Sequence, residues 1–149
     1  MEWLDIIAII ISVVALLLSA YQFLVERKLN RMGATIDALA ELQKDVLNNE
    51  GFINAQVDSV IEHHKTVNGE FDATWETISE CLARIEQFAV GVNTKVYSIE
   101  ILDRMAGSYI IKLFNKFEPI IIYKREKGKT DKRYIEFETM VNYLKKYNS

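Results

Sequence analysis

The chain distributes its apolar residues in two different ways, one before residue 25 and one after it. From Ile6 to Val25 the sequence IIAIIISVVALLLSAYQFLV contains no charged residue, and thirteen of its twenty residues are Ile, Val, Leu or Phe. A helix of this length reaches roughly 30 Å, which is the thickness of the hydrocarbon core of a bilayer. The pattern therefore predicts a transmembrane helix.

A cleaved signal peptide is the alternative explanation for an apolar segment at this position. Signal peptides begin with basic residues, have a shorter apolar run and end at a small-residue cleavage site. Here the leading charges are those of Glu2 and Asp5, and the run is too long. Leu18 also occupies a position that would need a small residue for cleavage after Ala20. A retained membrane anchor fits these features better.

Beyond the anchor, apolar residues recur every three or four positions, which is the spacing of one helix face. The clearest stripe has regular steps of four and three residues and predicts one long helix. The four stripes consist of Phe71, Trp75, Ile78, Leu82, Ile85, Ala89 and Val92; of Ile53, Val57, Val60, His64 and Val67; of Leu102, Met105, Tyr109, Leu113 and Phe117; and of Tyr134, Phe137, Val141, Leu144 and Tyr147.

Residues with capping preferences stand between these stripes. Asp72 and Ser98 are typical helix N-caps, and Gly51 and Gly69, each close after an asparagine, are typical of helix C-terminal ends. The pattern predicts an all-α protein, in which a transmembrane helix is followed by a cytoplasmic helical bundle. Its predicted parts are a transmembrane anchor (1–25), a juxtamembrane helix (26–50) and a cytoplasmic helical domain (51–149).

Two stretches, residues 88–97 and 119–137, also contain the β-branched and aromatic residues that are typical of strands. The second stretch could form a hairpin across the segment EKGKTD. Helices are favoured there, because Pro119 suits the first turn of a helix and the stripe after Asp131 keeps a helical period to the end of the chain.

Basic residues flank the apolar run on one side only. No Lys or Arg precedes it, whereas Arg27, Lys28 and Arg31 follow it closely. Because Lys and Arg near a membrane span remain in the cytoplasm, the N-terminus is predicted to lie outside and residues 26–149 inside. The single cysteine, Cys81, agrees with a reducing compartment and excludes a disulfide within the chain.

Small residues form a row along one side of the predicted anchor. Ala8, Ser12, Ala15 and Ser19 follow each other in steps of four and three, and such rows allow membrane helices to approach closely. The same spacing continues through Gln22, Glu26, Leu29, Gly33, Ile36, Ala40, Gln43 and Leu47. The row predicts either a continuous self-associating helix, resembling a coiled coil, or a cytoplasmic part that packs on its own domain.

Residue types that carry chemistry are sparse, and no catalytic, cofactor-binding or metal site is predicted. His63 and His64 are adjacent and diverge on a helix, so a packed His64 beside a solvated His63 is expected. Cys81 flanks an apolar stripe, where an inert buried thiol is usual. The GKT at Gly128 lacks the glycine that a phosphate loop needs five residues earlier.

The charges are unevenly distributed, and this argues against nucleic acid as a partner. Residues 32–111 contain five basic and thirteen acidic side chains, whereas residues 112–149 contain ten basic and five acidic ones. An acidic middle leaves no continuous face for a phosphate backbone. The basic string from Lys124 to Arg133 is interpreted as a solvated loop, with contact to anionic lipid headgroups as the alternative. No small-molecule substrate is evident.

The segment RIEQFAVGVN, residues 84–93, has an apolar run that contains a glycine. We interpret it as the turn between two packed helices, in which Gly91 and Asn93 let the chain leave the helix and Phe88 is buried. The alternative is a docking surface that includes Arg84, Phe88, Gly91 and Asn93. Gly107 is expected where the following helix approaches a neighbour.

The chain resembles a family of small bacterial membrane-anchored proteins that carry a domain of unknown function. The resemblance rests on LARIEQFAVGVNTKVYSIEILDRMAGSYI, on the N-terminal span and on the segments ATIDALAELQKDVLN and YIEFETMVNYLKK. It implies an anchor in the bacterial inner membrane and a cytoplasmic helical domain. It supplies no activity, cofactor or catalytic residue.

Two functions are compatible with these features, and neither is enzymatic. The first is a membrane-anchored interaction domain that binds a protein partner or itself and acts as a scaffold, sensor or regulator. The second is a membrane-perturbing effector, in a stress or phage-defence setting, that assembles through its transmembrane helix.

Overall fold

A computed structural model describes residues 2–46, 57–70 and 72–147, and within them every regular element is helical. The helices are α1 (Glu2–Val46), α2 (Val57–Thr66), α3 (Ala73–Asn93), α4 (Ile99–Gly128) and α5 (Ile135–Tyr147). The predicted all-α fold is confirmed, and the described parts of residues 88–97 and 119–137 contain no strand. The predictions for Leu47, Gly51, Ile53 and Phe71 concern positions outside the described residues.

Helix α1 is a single helix of 45 residues that continues past the end of the apolar run at residue 25. It is long and apolar enough to cross a membrane, and it carries the only such segment in the described chain. Its N-terminal half is uncovered by the rest of the protein, whereas Thr35, Leu39, Leu42 and Val46 are buried. Residues 26–46, the described part of the predicted juxtamembrane helix, are therefore a direct extension of the apolar helix and pack on the bundle.

The core of the bundle forms where α3, α4 and α5 meet. Leu82, Ile85 and Ala89 of α3 are fully buried, as are Phe117 of α4 and Phe137 of α5. These residues follow the helical spacing of the apolar stripes, since side chains three or four apart share one face. Burying a large apolar side chain contributes about 1.5–3 kcal/mol, so this face explains why the helices pack together.

The N-caps predicted at Asp72 and Ser98 are both present, at the starts of α3 and α4. The Asp72 carboxylate accepts hydrogen bonds from the backbone N–H groups of Thr74 and Trp75, at 3.0 and 3.3 Å. The Ser98 hydroxyl accepts one from the N–H of Ile101, at 3.5 Å. After α2, Asn68 and Gly69 both adopt positive φ, as a helix C-terminal end requires.

Pro119 lies inside α4, and the prediction that it starts a helix is wrong. A proline in a helix interior removes one backbone hydrogen bond and disturbs the preceding turn. Here Pro119 and Asn115, whose carbonyl loses its partner, are both exposed, so water can solvate that carbonyl. Phe117 and Ile120, on either side of the proline, are 1% and 0% exposed. Packing therefore holds the helix together across the proline.

One further expectation for α4 is wrong. The third stripe includes Met105, but this residue is 54% exposed, and Ile110 is buried instead. Gly107 is buried, but a Cβ there would meet the Asp103 side chain of the same helix, with Cγ at 3.2 Å. The atoms nearest to that Cβ position thus belong to the preceding turn of α4, and the burial of Gly107 agrees with the expected approach of a neighbour.

Candidate functional surfaces

The predicted row of small residues is exposed along the apolar half of α1. Ala8, Ser12, Ala15 and Ser19 all face away from the bundle, since no part of the described domain covers this half of the helix. The Ser12 hydroxyl donates to the backbone carbonyl of Ala8 at 2.8 Å, so its hydrogen is already bonded within the helix. The small residues of the row would allow another helix to pack closely, and Ser12 could then accept a hydrogen bond from that helix but not donate one.

The continuation of this row beyond residue 25 does not face the bundle. Gly33, Ile36, Ala40 and Gln43 are exposed, although they lie in the part of α1 that packs on the domain. The bundle covers another side of α1 instead, which is formed by Thr35, Leu39, Leu42 and Val46. The cytoplasmic part of α1 therefore does pack on its own domain, but through a side other than the row, and the described part of the row stays uncovered.

The segment RIEQFAVGVN forms the last turns of α3 and not the turn after it. Gly91 lies inside α3, and the residue with left-handed backbone is Lys95, with φ of 62°. A Cβ on Gly91 would lie 3.1 Å from Tyr97 Cζ and closer still to two other ring atoms. Phe88 is buried and stacks on Tyr97, with ring centroids 5.3 Å apart. Gly91 therefore provides space for the Tyr97 ring, and the prediction that it lets the chain leave the helix is wrong.

Arg84 and Phe88 line a small groove between α1 and α3, with a volume of about 160 Å³. The other residues that line it are Ala38, Glu41, Leu42, Gln87 and Tyr97. Asn93 lies on another side of α3, where its amide donates to the Glu136 backbone carbonyl at 2.9 Å and to its carboxylate at 2.7 Å. Of the four residues of the candidate docking surface, Arg84, Phe88 and Gly91 thus lie near Tyr97, whereas Asn93 contacts α5.

Asn93 belongs to a polar clamp between α3 and α5 that the sequence analysis missed. Glu86 of α3 accepts hydrogen bonds from the backbone N–H groups of Glu136 and Phe137, at 3.1 and 2.7 Å. The first N–H groups of a helix have no partner within that helix. Glu86 therefore caps α5 from a neighbouring helix, in place of the local cap that Asp72 provides for α3.

The second unpredicted feature is an aromatic and cationic cluster between α2, α3 and α4. The His64 ring stacks on Trp75 with centroids 3.9 Å apart, and Tyr123 meets both rings edge-on. The ammonium of Lys124 lies 4.8 Å from the Trp75 ring centroid and donates to the Ser79 hydroxyl. As predicted, His64 is packed and His63 is exposed.

Lys124 corrects the interpretation of the basic string as a solvated loop. This lysine lies inside α4, and only 7% of it is exposed. Burial, together with the nearby Arg133, lowers its pKa to about 8. A signal was present in the sequence, since Lys124 falls three and four residues after the apolar Ile121 and Ile120, on the buried face of α4.

The cluster borders an open cleft of about 490 Å³, whose lining contains both acids and bases. Burial also lowers the pKa of His64, so the ring is neutral near pH 7. Lys127, whose Nζ lies 3.5 Å from His64 Nε2, can only donate, which places the ring proton on Nδ1. That Nδ1 and the Asp72 Oδ2 are both buried without a hydrogen-bond partner.

The cleft does not form a metal site from the residues that the structure describes. Within them, no group of three or more His, Cys, Asp or Glu side chains is arranged to hold a metal ion. Cys81 is buried on the core side of α3, as expected of an inert thiol.

The third feature is a junction between α1 and the turn that joins α3 to α4. The Thr35 hydroxyl accepts a hydrogen bond from the N–H of Ser98 at 2.7 Å, and Arg31 donates to the Tyr97 carbonyl at 3.3 Å. Beside these bonds, Val96 borders an open cleft of about 370 Å³ together with Phe23, from the end of the apolar run. The turn is therefore held against α1 close to the end of its apolar segment.

Comparison with known proteins gives one match. The family defined by a domain of unknown function (DUF4760) matches residues 9–144. Neither the curated proteins nor the solved structures contain a significant match to the chain. The matched range runs from the apolar half of α1 to the last turn of α5 and so includes each surface described above, apart from Ala8 and Tyr147 at its margins. The chain therefore belongs to the DUF4760 family, a family whose domain has no assigned function.

Proposed function

We propose that this protein is a single-pass membrane protein whose cytoplasmic helical domain binds a protein partner or a second copy of itself, as a scaffold, sensor or regulator, and that it is not an enzyme. The observation that carries the proposal is the continuity of α1. One helix contains both the uncovered apolar segment and the buried residues Leu39 and Leu42. An anchor of this kind passes its position and orientation to the domain without a flexible linker.

The proposed orientation has the N-terminus outside and the domain in the cytoplasm of a bacterial cell. Support comes from Arg27, Lys28 and Arg31, which follow the apolar run directly. Trp3 and Tyr21 lie near the two ends of the run and are 79% and 68% exposed. Aromatic side chains of this kind are enriched at both membrane interfaces, which agrees with a span between them.

Reporters fused to the C-terminus of the chain test this orientation. A cytoplasm-dependent fluorescent protein at the C-terminus should be active, and an export-dependent phosphatase at the same position should be inactive. Replacing Arg27, Lys28 and Arg31 by Gln should weaken this preference, while the same change at Lys129 and Lys132 should not. Export of the C-terminal reporter in the wild type would overturn the orientation, and recovery of the chain in the soluble fraction would overturn the anchor.

A second candidate function is a membrane-perturbing effector that assembles through α1. The row of Ala8, Ser12, Ala15 and Ser19 supports it, together with the uncovered continuation of this row along α1. In lipid, helices associate where small residues let the backbones approach, and a polar contact across them contributes about 0.6 kcal/mol on average. Enlarging Ser12 and Ala15 should therefore weaken an assembly.

The test replaces both Ser12 and Ala15 by Leu and follows crosslinked dimers in membranes. The matched control replaces Val13 and Leu17, on the opposite side of α1, by Phe. A selective loss of dimers in the first variant supports the row as an interface, and an equal loss in both variants refutes it. Growth arrest or dye uptake on overexpression supports the effector, whereas normal growth with a reproducible soluble partner supports the interaction domain.

A further inference from the structure

We infer that the turn between α3 and α4 is a second membrane contact, which seats the domain on anionic lipid headgroups. The inference rests on the proposed membrane anchor and adds a lipid partner to it. The residues concerned are Lys95 and Val96 of the turn, together with Arg27, Lys28 and Arg31 of α1. We refer to them as the headgroup-facing surface.

The position of the turn follows from its bonds to α1. Ser98 is hydrogen-bonded to Thr35, and Tyr97 is hydrogen-bonded to Arg31, which is one turn of α1 closer to the apolar run. Residue 96 is therefore expected to lie closer to the apolar run than residue 98. Val96 then borders the same cleft as Phe23 and Asn30. Asn30 lies five residues beyond the apolar run, or about 7.5 Å along the helix axis. The headgroup layer on each side of a bilayer is about 5–7.5 Å thick, so Val96 lies near the outer edge of this layer.

The composition of this surface matches a headgroup layer. Val96 is an apolar side chain that remains 55% exposed at the tip of a turn, beside the exposed Lys95. A neighbouring cleft of about 700 Å³ is lined by Arg27, Lys28, Arg31 and Lys95 on its basic side. Basic side chains near a bilayer are attracted to anionic lipids, and a lysine can keep its ammonium at the phosphates while its stem stays apolar.

The acidic groups nearby do not cancel these charges. Glu100 lines the same cleft, but its carboxylate is paired with Arg104 at 3.0 Å. Glu26 lines the cleft around Val96 and is the remaining carboxylate among the described residues that border the two clefts. Four basic groups therefore face one unpaired carboxylate, and this excess favours anionic over zwitterionic headgroups.

The basic string at the far end of α4 is a poorer candidate for lipid contact. Helix α4 begins at Ile99, beside the anchor, and its 30 residues carry Gly128 about 45 Å along the helix axis. Lys129, Lys132 and Arg133 follow that end. Lys95 would thus lie closer than this basic string to a bilayer that surrounds the apolar half of α1.

Depth-dependent quenching in lipid nanodiscs tests the inference with the full chain. A Cys81→Ser background removes the native thiol, and an environment-sensitive fluorophore is attached at Val96→Cys. Brominated lipids should quench this label at least twofold more strongly in discs that contain phosphatidylglycerol than in discs of phosphatidylcholine alone. A label at Ile122→Cys, which is similarly exposed on α4 far from the turn, should show little quenching in either disc.

Charge reversal identifies the role of the lysine. Lys95→Glu should lower the quenching of the label at residue 96 in phosphatidylglycerol discs, whereas Lys132→Glu, with the same change in net charge, should not. A label at Ile10→Cys, inside the apolar run, should be quenched in every disc and reports on the anchor. Strong quenching at residue 10 with none at residue 96 would overturn the headgroup-facing surface and leave the anchor intact.

Three other outcomes also decide the matter. Absence of quenching at residue 10 would overturn the proposed anchor and this inference with it. Equal quenching at residue 96 in both kinds of disc, unaffected by Lys95→Glu, would show an apolar contact without selection for anionic lipid and would refute the electrostatic part. Equal quenching at residues 96 and 122 would show a domain lying flat or aggregated, which contradicts the proposed seating.

Discussion

The replacement of Gly91 by Ala separates two opposite effects of the same substitution. In an exposed helix interior, Ala is more favourable than Gly by about 1 kcal/mol. Gly33 of α1 lies in such a place, since a Cβ there would meet nothing within 4 Å. Gly91 lies under the Tyr97 ring, where the added methyl group overlaps ring atoms. Gly33→Ala should therefore stabilise the protein, and Gly91→Ala should destabilise it.

The magnitude at Gly91 follows from what the Tyr97 ring would lose. Overpacking costs typically 1–3 kcal/mol, and an aromatic pair such as Phe88 and Tyr97 contributes about 0.5–1.5 kcal/mol beyond its buried area. Together these costs are about 1.5–4.5 kcal/mol and exceed the propensity gain of about 1 kcal/mol, so the free energy of unfolding should fall by about 0.5–3.5 kcal/mol. For a chain of this size each kcal/mol corresponds to about 2–4 °C in Tm.

Thermal unfolding of the full chain, followed by circular dichroism in a detergent that keeps it monomeric, measures both variants. The third variant combines Gly91→Ala with Tyr97→Ala, which removes the obstructing ring. In that background Gly91→Ala should become neutral or stabilising, because only the helix propensity remains. A Gly91→Ala variant as stable as Gly33→Ala, or one that stays destabilising without the Tyr97 ring, would refute the proposed role of Gly91.

Three more predictions concern the core and the polar contacts. Lys124 has a folded-state pKa of about 8, below its ordinary 10.5, so between these values the unfolded chain binds more protons and stability should rise with pH. The rise should approach about 3 kcal/mol by pH 10 in chemical denaturation, and Lys124→Met should abolish it. Glu86→Ala should cost about 1–2 kcal/mol by uncapping α5, and the exposed Gln87→Ala less than about 0.5 kcal/mol; equal losses would contradict the clamp. Phe88→Ala should cost about 2–5 kcal/mol and His63→Ala less than about 0.5 kcal/mol in thermal unfolding; an unchanged Tm for Phe88→Ala, with partner binding lost, would make the segment a docking surface.

Features that depend on neighbouring residues alone were predictable from the sequence. The apolar run to Val25 and the helical stripes need only the spacing of residues along one helix. The caps at Asp72 and Ser98 are likewise local, since each side chain bonds to N–H groups two or three residues later. The packed His64 also follows from its position on a stripe.

Features that depend on contacts between helices required the tertiary structure. Pro119 reads as a helix start, but the burial of Phe117 and Ile120 against other helices keeps α4 continuous across it. From the sequence, Gly91 is interpreted as a residue that lets the chain leave the helix. Its actual role depends on the ring of Tyr97, which lies beyond the end of α3 and occupies the space next to Gly91. Local propensity amounts to about 1 kcal/mol per residue, which is less than the packing free energy of one large side chain.

The candidate surfaces show the same division. The exposed row on α1 and the basic flank of the anchor could be read from the sequence, since both lie on one helix. The burial of Lys124, the capping of α5 by Glu86 and the position of Val96 beside the anchor could not. Each of these features depends on residues that are between 45 and 73 positions apart in the chain. The pairs are Lys124 and Ser79, Glu86 and Phe137, and Val96 and Phe23. Only the packing of the helices determines which distant groups meet, because no local pattern encodes the direction in which each helix faces its neighbours.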